Sequence, residues 1–463
     1  MASLNDVSGL TGQSRASFIN LLKVEYAQLW DDQAHKGGSV VAQRCMAKKG
    51  TMGGERTQAA VVTGYPQSVA ISAREGVRLP PAEVGTYIKP ELHARDLYTT
   101  LQWTGQAERS ARKGDSVAFA KPRERDLSDA RKQFDIEMAI KMILGFMEVR
   151  GKIAAGGIAG TVLTLEGRNT RNATDFWNSG RHFLRVNKHI ITAATAAGAP
   201  RLNTEVFSGV ESTNSRKIAS VGGTNAAPTV TLADSAFPAG PAAGDYIIPA
   251  KSRANINNPP WTGTAADEIT AFASFNGLFN IATDSNVCAA IYGLAKSSNP
   301  TLSGRYFSNP AGAGTTRPFE ERLVNLMVDS IRDDGTGNEP DFLYLHPATR
   351  REVIAEHSDQ RRYGPVVGAS GYEQLVAHVG DKALKYESDY LMMPGMVAGL
   401  RTDPWGWIEQ SPLSPIDMQT ERYVEGYDAH TINWHKSGNI ECQVPNDQGI
   451  MDDIDFDAFD ING

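Results

Sequence analysis

Residues that could support catalysis are scattered along the chain and show no spacing typical of an active site. Of the nine histidines, His182 and His189 lie seven positions apart, which a helix or chance explains better than metal ligation. Ser370 lies within Gly-Ala-Ser-Gly at 368–371, which lacks the spacing of a nucleophile elbow. No glycine-rich phosphate-binding motif occurs. The sequence therefore predicts no catalytic residue, no cofactor and no metal site, and a protein that is not an enzyme.

The C-terminal residues 447–463 contain six aspartates and no lysine or arginine. Carboxylates can bind a divalent cation, but an ordered site needs fixed oxygen geometry that a flexible tail does not supply. We therefore expect residues 447–463 to be solvated or disordered, with an acidic tail at 451–463. The three cysteines, Cys45, Cys288 and Cys442, lie far apart and are predicted to be free thiols of a reducing compartment.

Composition limits the class of protein. The 463 residues could hold two or three domains or one body with large excursions, and the 41% apolar share is enough for a sizeable core. The 44 glycines and 23 prolines indicate much turn and extended chain. A net charge of −7 argues against a dedicated nucleic-acid-binding protein. With no membrane-spanning segment and no secretory signal, we expect a protein that is made and kept in the cytoplasm.

The longest helical pattern covers residues 126–150 and would form a rod of roughly 35 Å. Apolar side chains recur every three or four positions and so share one face. Asp126 or Ser128 can cap the first turn, and Gly151 is expected to end the helix. The apolar face and its flanks consist of Leu127, Ala130, Phe134, Ile136, Met138, Ile140, Met142, Ile143, Phe146, Met147 and Val149.

The region before this helix has no helical period. Residues 51–96 alternate glycine and proline with short β-prone pieces at 68–72 and 86–89. So long an irregular stretch is unusual in a compact domain, and an isolated hairpin is marginal in water. We therefore predict a two-stranded excursion that finds its stability against another subunit. Residues 1–50 form a weakly basic arm, with six Lys/Arg against four Asp/Glu.

The remaining chain mixes strands and helices. A small all-β insertion is predicted at 201–255, with strands at 218–221, 229–232 and 245–249. Helices are predicted at 188–197, 319–332 and 347–357, the second with Leu323, Leu326, Met327 and Ser330 on one side. Further strands are predicted at 97–103, 116–119, 342–345, 390–393, 396–400, 405–408, 423–427 and 431–435.

This order of elements resembles the major capsid proteins of tailed bacteriophages, which have the Hong Kong 97 fold. Residues 97–109 followed by 126–151 are similar to the strand and spine helix of that family. Residues 326–351 are similar to its helix, buried strand and proline turn. The resemblance covers most of residues 50–440, and the other stretches that carry it are 277–283, 361–364 and 392–395.

The resemblance implies an α+β fold with an N-terminal arm, an E-loop, a spine helix, peripheral and axial domains, and a small inserted β domain. Its boundaries would be an arm at 1–50, an E-loop at 51–96, a peripheral domain at 97–200 with the spine helix at 126–150, an inserted domain at 201–255, more peripheral domain at 256–318, an axial domain at 319–410, a return to the peripheral domain at 411–450 and an acidic tail at 451–463.

The resemblance also implies a function. Family members assemble as hexamers and pentamers into an icosahedral shell that encloses double-stranded DNA. The protein is therefore expected to be made and assembled in the bacterial cytoplasm and to form the capsid of the virion. Expected partners are other copies, a separate scaffolding protein, a portal and a cement or decoration protein, with no membrane. Some members crosslink a lysine to an asparagine; Lys89 is the only lysine at 51–96, but no Asn or Glu partner is identified, so crosslinking is not predicted.

Two alternatives stay open at the level of sequence. One is an encapsulin-like shell protein, which uses the same fold to enclose an enzyme. The inserted β domain and the chain length favour the phage capsid over it. The other is a cytoplasmic enzyme of unknown chemistry that is built around the 126–150 helix.

Overall fold

The structure is a computed structural model, and its helices and strands are mixed along the chain. It describes residues 39–54, 56–58, 60–65, 84–104, 122–145, 151–165, 189–193, 207–208, 211–212, 216–223, 228–233, 243–249, 275–288, 290–310, 317–360, 376–379, 382–415, 422–423 and 428–455. Among the described helices, none combines the length and apolar character that crossing a bilayer requires.

The α-helices of this part of the chain are α1 (Val40–Cys45), α2 (Pro122–Leu144), α3 (Leu278–Ala282), α4 (Glu321–Asp334) and α5 (Pro347–Gln360). The strands are β1 (Lys49–Thr51), β2 (Arg56–Gln58), β3 (Val61–Gly64), β4 (Thr86–Ile88), β5 (Glu91–His93), β6 (Arg95–Thr104), β7 (Gly151–Ala159), β8 (Val162–Leu165), β9 (His189–Ala193), β10 (Phe207–Ser208), β11 (Glu211–Ser212), β12 (Arg216–Gly223), β13 (Pro228–Leu232), β14 (Tyr246–Pro249), β15 (Ala290–Ile291), β16 (Leu294–Ala295), β17 (Arg305–Phe307), β18 (Phe342–Leu345), β19 (Val376–Val379), β20 (Lys382–Ser388), β21 (Val397–Leu400), β22 (Trp405–Pro415), β23 (Arg422–Tyr423), β24 (Ala429–Cys442) and β25 (Gly449–Met451).

The first large sheet is organised around the long strand β24. It pairs antiparallel with β22 on one side and along the whole of β6 on the other. Strand β1 adds to β22 in parallel, and the short β23 pairs with the start of β24. Helix α2 packs beside β6. The strands predicted at 97–103, 405–408 and 431–435 are therefore confirmed, each as part of a longer strand.

Helix α2 buries the predicted apolar face, including Phe134, Met138 and Met142. Its bounds differ from the prediction, because it begins at Pro122 and ends at Leu144. Proline suits the first turn of a helix, where its missing N–H is not needed. Gly145 follows with a φ of +75°, and a Cβ there would lie 1.4 Å from the side-chain oxygen of Asn280. The left-handed backbone at Gly145 ends the helix, and the close approach of Asn280 leaves room only for glycine there. The predicted end residues 146–150 lie outside the described part.

Gly151 does not cap a helix but begins strand β7 of a closed barrel. The barrel has the order β12-β13-β8-β7-β14-β9. The strands predicted at 218–221, 229–232 and 245–249 are confirmed, but the β unit is larger than 201–255, since it includes residues 151–165. Its interior is filled by buried aliphatic side chains, namely Ile153, Leu163, Leu165, Ile218, Val230, Leu232 and Ile247.

The helix predicted at 188–197 is wrong, because residues 189–193 form strand β9. This strand pairs with β14 and β12 and closes the barrel. Its centre, Ile190-Ile191-Thr192, consists of β-branched residues, which lose side-chain freedom in a helix and pack well in a sheet.

The second large sheet has the order β17-β25-β21-β18-β20-β19 and packs against α4. Helix α4 confirms the prediction at 319–332, and the predicted face is right at Met327 and at Leu323, which packs against the core, but wrong at Leu326. Its buried residues are Val324, Met327, Val328 and Ile331, whereas the Leu326 side chain is 55% exposed. Helix α5 and strands β18 and β21 confirm the predictions at 347–357, 342–345 and 396–400. Residues 390–393 form a turn and not the predicted strand, although Met392 and Met393 are buried.

The predicted solvated C-terminus is wrong for residues 447–455. Strand β25 lies inside the second sheet, between β17 and β21. Asp447, Asp452 and Asp453 are fully buried there. Residues 456–463 lie outside the described part, as do the strands predicted at 68–72 and 116–119 and residues 361–364, His182, Ser370 and 424–427.

Candidate assembly interface

Residues 56–93 contain a two-stranded excursion, called the ribbon below. Strand β2 pairs antiparallel with β5, and farther out β3 pairs antiparallel with β4. The register of the outer pair shifts between Val62 and Gly64, which marks a bulge. The ribbon is the two-stranded arrangement that the glycine- and proline-punctuated sequence predicts.

Contacts within the ribbon are mostly polar and lie at the surface. The Thr63 hydroxyl donates a hydrogen bond of 3.2 Å to the carbonyl oxygen of Thr86. Arg56 forms an exposed ion pair of 3.3 Å with Glu91, which also accepts a hydrogen bond from Gln58. An exposed ion pair of this kind stabilises by about 1 kcal/mol at most. These bonds hold the two strands together but bury little apolar surface.

The outer ribbon exposes large apolar side chains. Tyr65 and Val84 are each 86% exposed, Tyr87 is 60% exposed, and Val62 is also exposed. These are four of the eight large apolar side chains that are exposed in the described part of the chain. Val62 and Tyr87 lie directly opposite each other in the register, and exposed apolar side chains grouped on one element are typical of a protein–protein contact. The outer ribbon is therefore the candidate assembly interface.

The root of the ribbon is fixed to the body of the protein. Leu92 is 5% exposed and belongs to the main apolar core. The backbone N–H of Glu91 donates to the carbonyl of Tyr292 at 2.9 Å, and the side-chain amide of Asn439 donates to the carbonyl of His93 at 2.8 Å. Met52, on the outgoing side, is buried and bonds through its N–H to Glu409. The ribbon is thus anchored at one end and exposed at the other.

The end of the predicted N-terminal arm is held firmly. Ser39 caps α1, and the Asp389 carboxylate accepts hydrogen bonds from the Ser39 hydroxyl and the Val41 N–H. Arg44 pairs with Glu387 at 2.6 Å, and its guanidinium lies 3.8 Å from the centre of the Phe342 ring. Residues 39–52 therefore join the second sheet to the first, through β1.

The cysteines, the possible metal ligands and Lys89 are the residues considered for chemistry in the sequence. Cys45, Cys288 and Cys442 are buried free thiols, as predicted. Burial raises the pKa of Cys45 to about 12 and that of Cys442 well above its usual value, so neither forms a nucleophilic thiolate at neutral pH. Across the described ranges, no group of three or more His, Cys, Asp or Glu side chains could hold a metal ion. Lys89 is exposed beside the ribbon strand β4.

Sequence reasoning identified the ribbon as a region but not the residues Tyr65, Val84 and Tyr87. Their signal in the sequence is weak, because Tyr65 and Val84 stand alone among glycine, proline and charged neighbours, and Tyr87 lies in a run of only two apolar residues with Ile88. Such isolated apolar residues are common on ordinary surfaces. The pairing of β3 with β4 brings the two chain segments that carry them side by side.

Comparison with solved structures finds similarity to viral capsids. The capsid asymmetric unit of cyanophage A-1(L) shares 10% identity, covers 93% of this chain and 96% of its own, and gives a TM-score of 0.46. The capsid of a native GTA particle shares 10% identity over 94% of this chain and 96% of its own, with a TM-score of 0.45. A structure from Mycobacterium phage Bobi shares 9% identity over 95% and 98%, with a TM-score of 0.42.

No protein-family model and no curated protein matches the sequence. With identities of 10% or less and TM-scores of 0.46 or less, these three structures assign no residue roles in this chain.

Proposed function

We propose that this protein is the major capsid protein of a tailed bacteriophage and has a structural, non-enzymatic role. Its copies assemble as hexamers and pentamers into an icosahedral shell that encloses double-stranded DNA. The observation that carries the proposal is the ribbon, because it projects exposed tyrosine and valine side chains from a body with a large buried core.

A ribbon of this kind needs a partner surface. Two strands alone are marginally stable in water, and apolar burial contributes about 25 cal/mol per Å² removed from solvent. A second copy of the chain is the partner that is present wherever the protein is made. If each copy places its ribbon on the next, the contact is heterologous, and rotation by a fixed angle closes it into a ring.

The proposal gives each region a role. The ribbon is the E-loop, α2 the spine helix, and the sheet around β24 the peripheral domain. The sheet around β18 is the axial domain, now including β25, and the barrel is the inserted domain, now beginning at Gly151. A separate scaffolding protein, a portal and a cement protein are the expected partners. The net charge of −7 suits a shell that encloses DNA without holding it tightly.

Electron microscopy and sedimentation of the expressed protein, alone and with the scaffolding protein of the same genome, test the proposal. We expect capsomers or closed shells. The double variant Tyr65→Ser/Tyr87→Ser should remain folded and lose them, whereas Leu326→Ser, an exposed apolar residue outside the ribbon, should still assemble. A wild-type protein that stays monomeric in both conditions would contradict the proposal.

The contents of the particles test the enclosure of DNA. Particles from infected cells should contain double-stranded DNA that resists added nuclease. Particles that instead contain a packaged enzyme and no DNA would show an encapsulin-like compartment.

A further inference from the structure

We infer that Tyr292 and Asn439 are positioning residues that set the direction in which the ribbon leaves the body. Both are buried, and both bond to the backbone of β5, the returning strand of the ribbon. The direction of the ribbon is a property of the single subunit. That this direction matters for contact with another copy rests on the proposed function.

Tyr292 forms the turn of the β15–β16 hairpin with Gly293, and both residues have positive φ, 55° and 75°. Such a two-residue turn with positive φ normally takes Asn or Gly, so a tyrosine there is unusual. The Tyr292 hydroxyl accepts a hydrogen bond of 2.8 Å from the N–H of Cys442. Its carbonyl accepts the 2.9 Å bond from Glu91. One residue therefore connects the end of β24 to the start of β5.

Asn439 makes the second connection. Its side-chain oxygen accepts hydrogen bonds of 2.8 Å from the N–H groups of Asn276 and Ile440. Its side-chain NH₂ donates the 2.8 Å bond to the carbonyl of His93. The side-chain oxygen of Asn439 thus bonds to the body of the protein, and its NH₂ group bonds to the ribbon.

The two bonds lie on either side of Leu92, whose side chain is in the core. The two hydrogen bonds to the backbone of β5 and the buried Leu92 side chain together fix the direction of β5 and its rotation about its own axis. The outgoing strand β2 follows this axis, because it is paired with β5. From Glu91 to Thr86 the strand extends about 17 Å, so a tilt of about 10° at the root moves that point by about 3 Å. A shift of that size would misplace Tyr65 and Tyr87 on a partner.

Two substitutions separate positioning from general stability. Asn439→Asp keeps the size and the acceptor oxygen, but it replaces the donor to His93 with an oxygen that repels the carbonyl. Tyr292→Phe keeps the ring and removes only the hydroxyl that holds the turn to Cys442. The matched control is Tyr306→Phe, which removes a comparable hydroxyl bond of 3.0 Å to Asp452, in strand β17 of the second sheet.

The readout is the distance between spin labels in the unassembled subunit, measured by pulsed electron paramagnetic resonance. Labels are placed at Tyr65→Cys on the ribbon and Arg131→Cys on the exposed side of α2, and the three native cysteines are buried. We expect the parent and Tyr306→Phe to share the same mean distance and the same width of the distribution. We expect Asn439→Asp and Tyr292→Phe to shift it or to broaden it about two-fold.

The inference is overturned if every positioning variant that folds keeps the parent distribution. Should Asn439→Asp fail to fold, Tyr292→Phe decides alone. The two claims can fail separately. A shifted distance distribution in the variants supports the positioning role even if the parent protein never assembles. Failure of the parent to assemble contradicts only the proposed function.

Discussion

The ribbon and the C-terminal segment, residues 445–455, place their side chains in opposite environments. The ribbon exposes tyrosines and valines, whereas the C-terminal segment buries the carboxylates of Asp447, Asp452 and Asp453. Residue type alone predicts the reverse, since carboxylates are rarely buried without partners. The hydrogen-bond and ion-pair partners available to each side chain account for this difference in burial.

Asp447 shows what such partners are. Its carboxylate pairs with Arg401 at 2.7 Å and accepts hydrogen bonds from the N–H and hydroxyl of Thr336 at 2.8 and 2.7 Å. The Asp453 carboxylate accepts from the N–H of Asn309. The C-terminal segment thus finds its partners within the subunit. Tyr65 at the outer ribbon is almost fully exposed, and under the proposed function its partner is another copy of the chain.

The largest effect is expected at Asp447. Asp447→Ala leaves Arg401 and the Thr336 N–H without their buried acceptor, and breaking a buried pair costs about 3–5 kcal/mol of unfolding free energy. Urea denaturation followed by circular dichroism measures this loss. Asp403→Ala, which removes an exposed pair with Lys48, is the control and should change stability by about 0.5 kcal/mol or less. A loss at Asp447 as small as that of the control would contradict the role given to the segment.

A substitution in the ribbon should show the opposite behaviour. Val84→Asp adds a charge at a solvated position, so the unfolding free energy of the subunit should change by about 0.5 kcal/mol or less. Assembly should fall, because burying an unpaired charge in a contact between copies is costly. Light scattering during assembly measures the fall. Normal assembly of Val84→Asp would remove the outer ribbon from the interface.

The smallest effect is expected at Glu441, on the same strand that holds the ribbon root. Burial raises the pKa of this carboxyl above its usual value of 4.5. Its charged form is therefore disfavoured in the folded state, and stability falls as the pH rises through the folded pKa. Glu441→Gln should stabilise the protein slightly at pH 7 and not at pH 4. Thermal unfolding at both values measures this, and an equal change at both would show another cause.

Local patterns predicted much of the fold. The β-branched and aromatic run at 97–103 predicted a strand, and the apolar period of 126–150 predicted a long helix, because these signals lie within one element. The face of α4 was predicted wrongly at Leu326, since which side meets the sheet depends on residues far away in the chain. The helix predicted at 188–197 failed because the partner strands β12 and β14, which close the barrel, decide its state.

The candidate interface was predicted as a region only. Glycine and proline spacing indicated an extended excursion, but the positions of Tyr65 and Val84 depend on the register of β3 with β4. The burial of Asp447 could not be predicted, because its partner Arg401 lies on another part of the chain and no local pattern connects them.

Hydrogen exchange of the ribbon amides, residues 56–65 and 84–93, tests the central claim most directly. The exchange is measured on the free subunit and on assembled particles of the same protein. We predict fast exchange at the outer pair β3–β4 in the free subunit and strong protection in the particle, with β25 protected in both. Equal protection of β3–β4 in a soluble monomer would show that the ribbon is already packed within the subunit, and would contradict its role as the contact between copies.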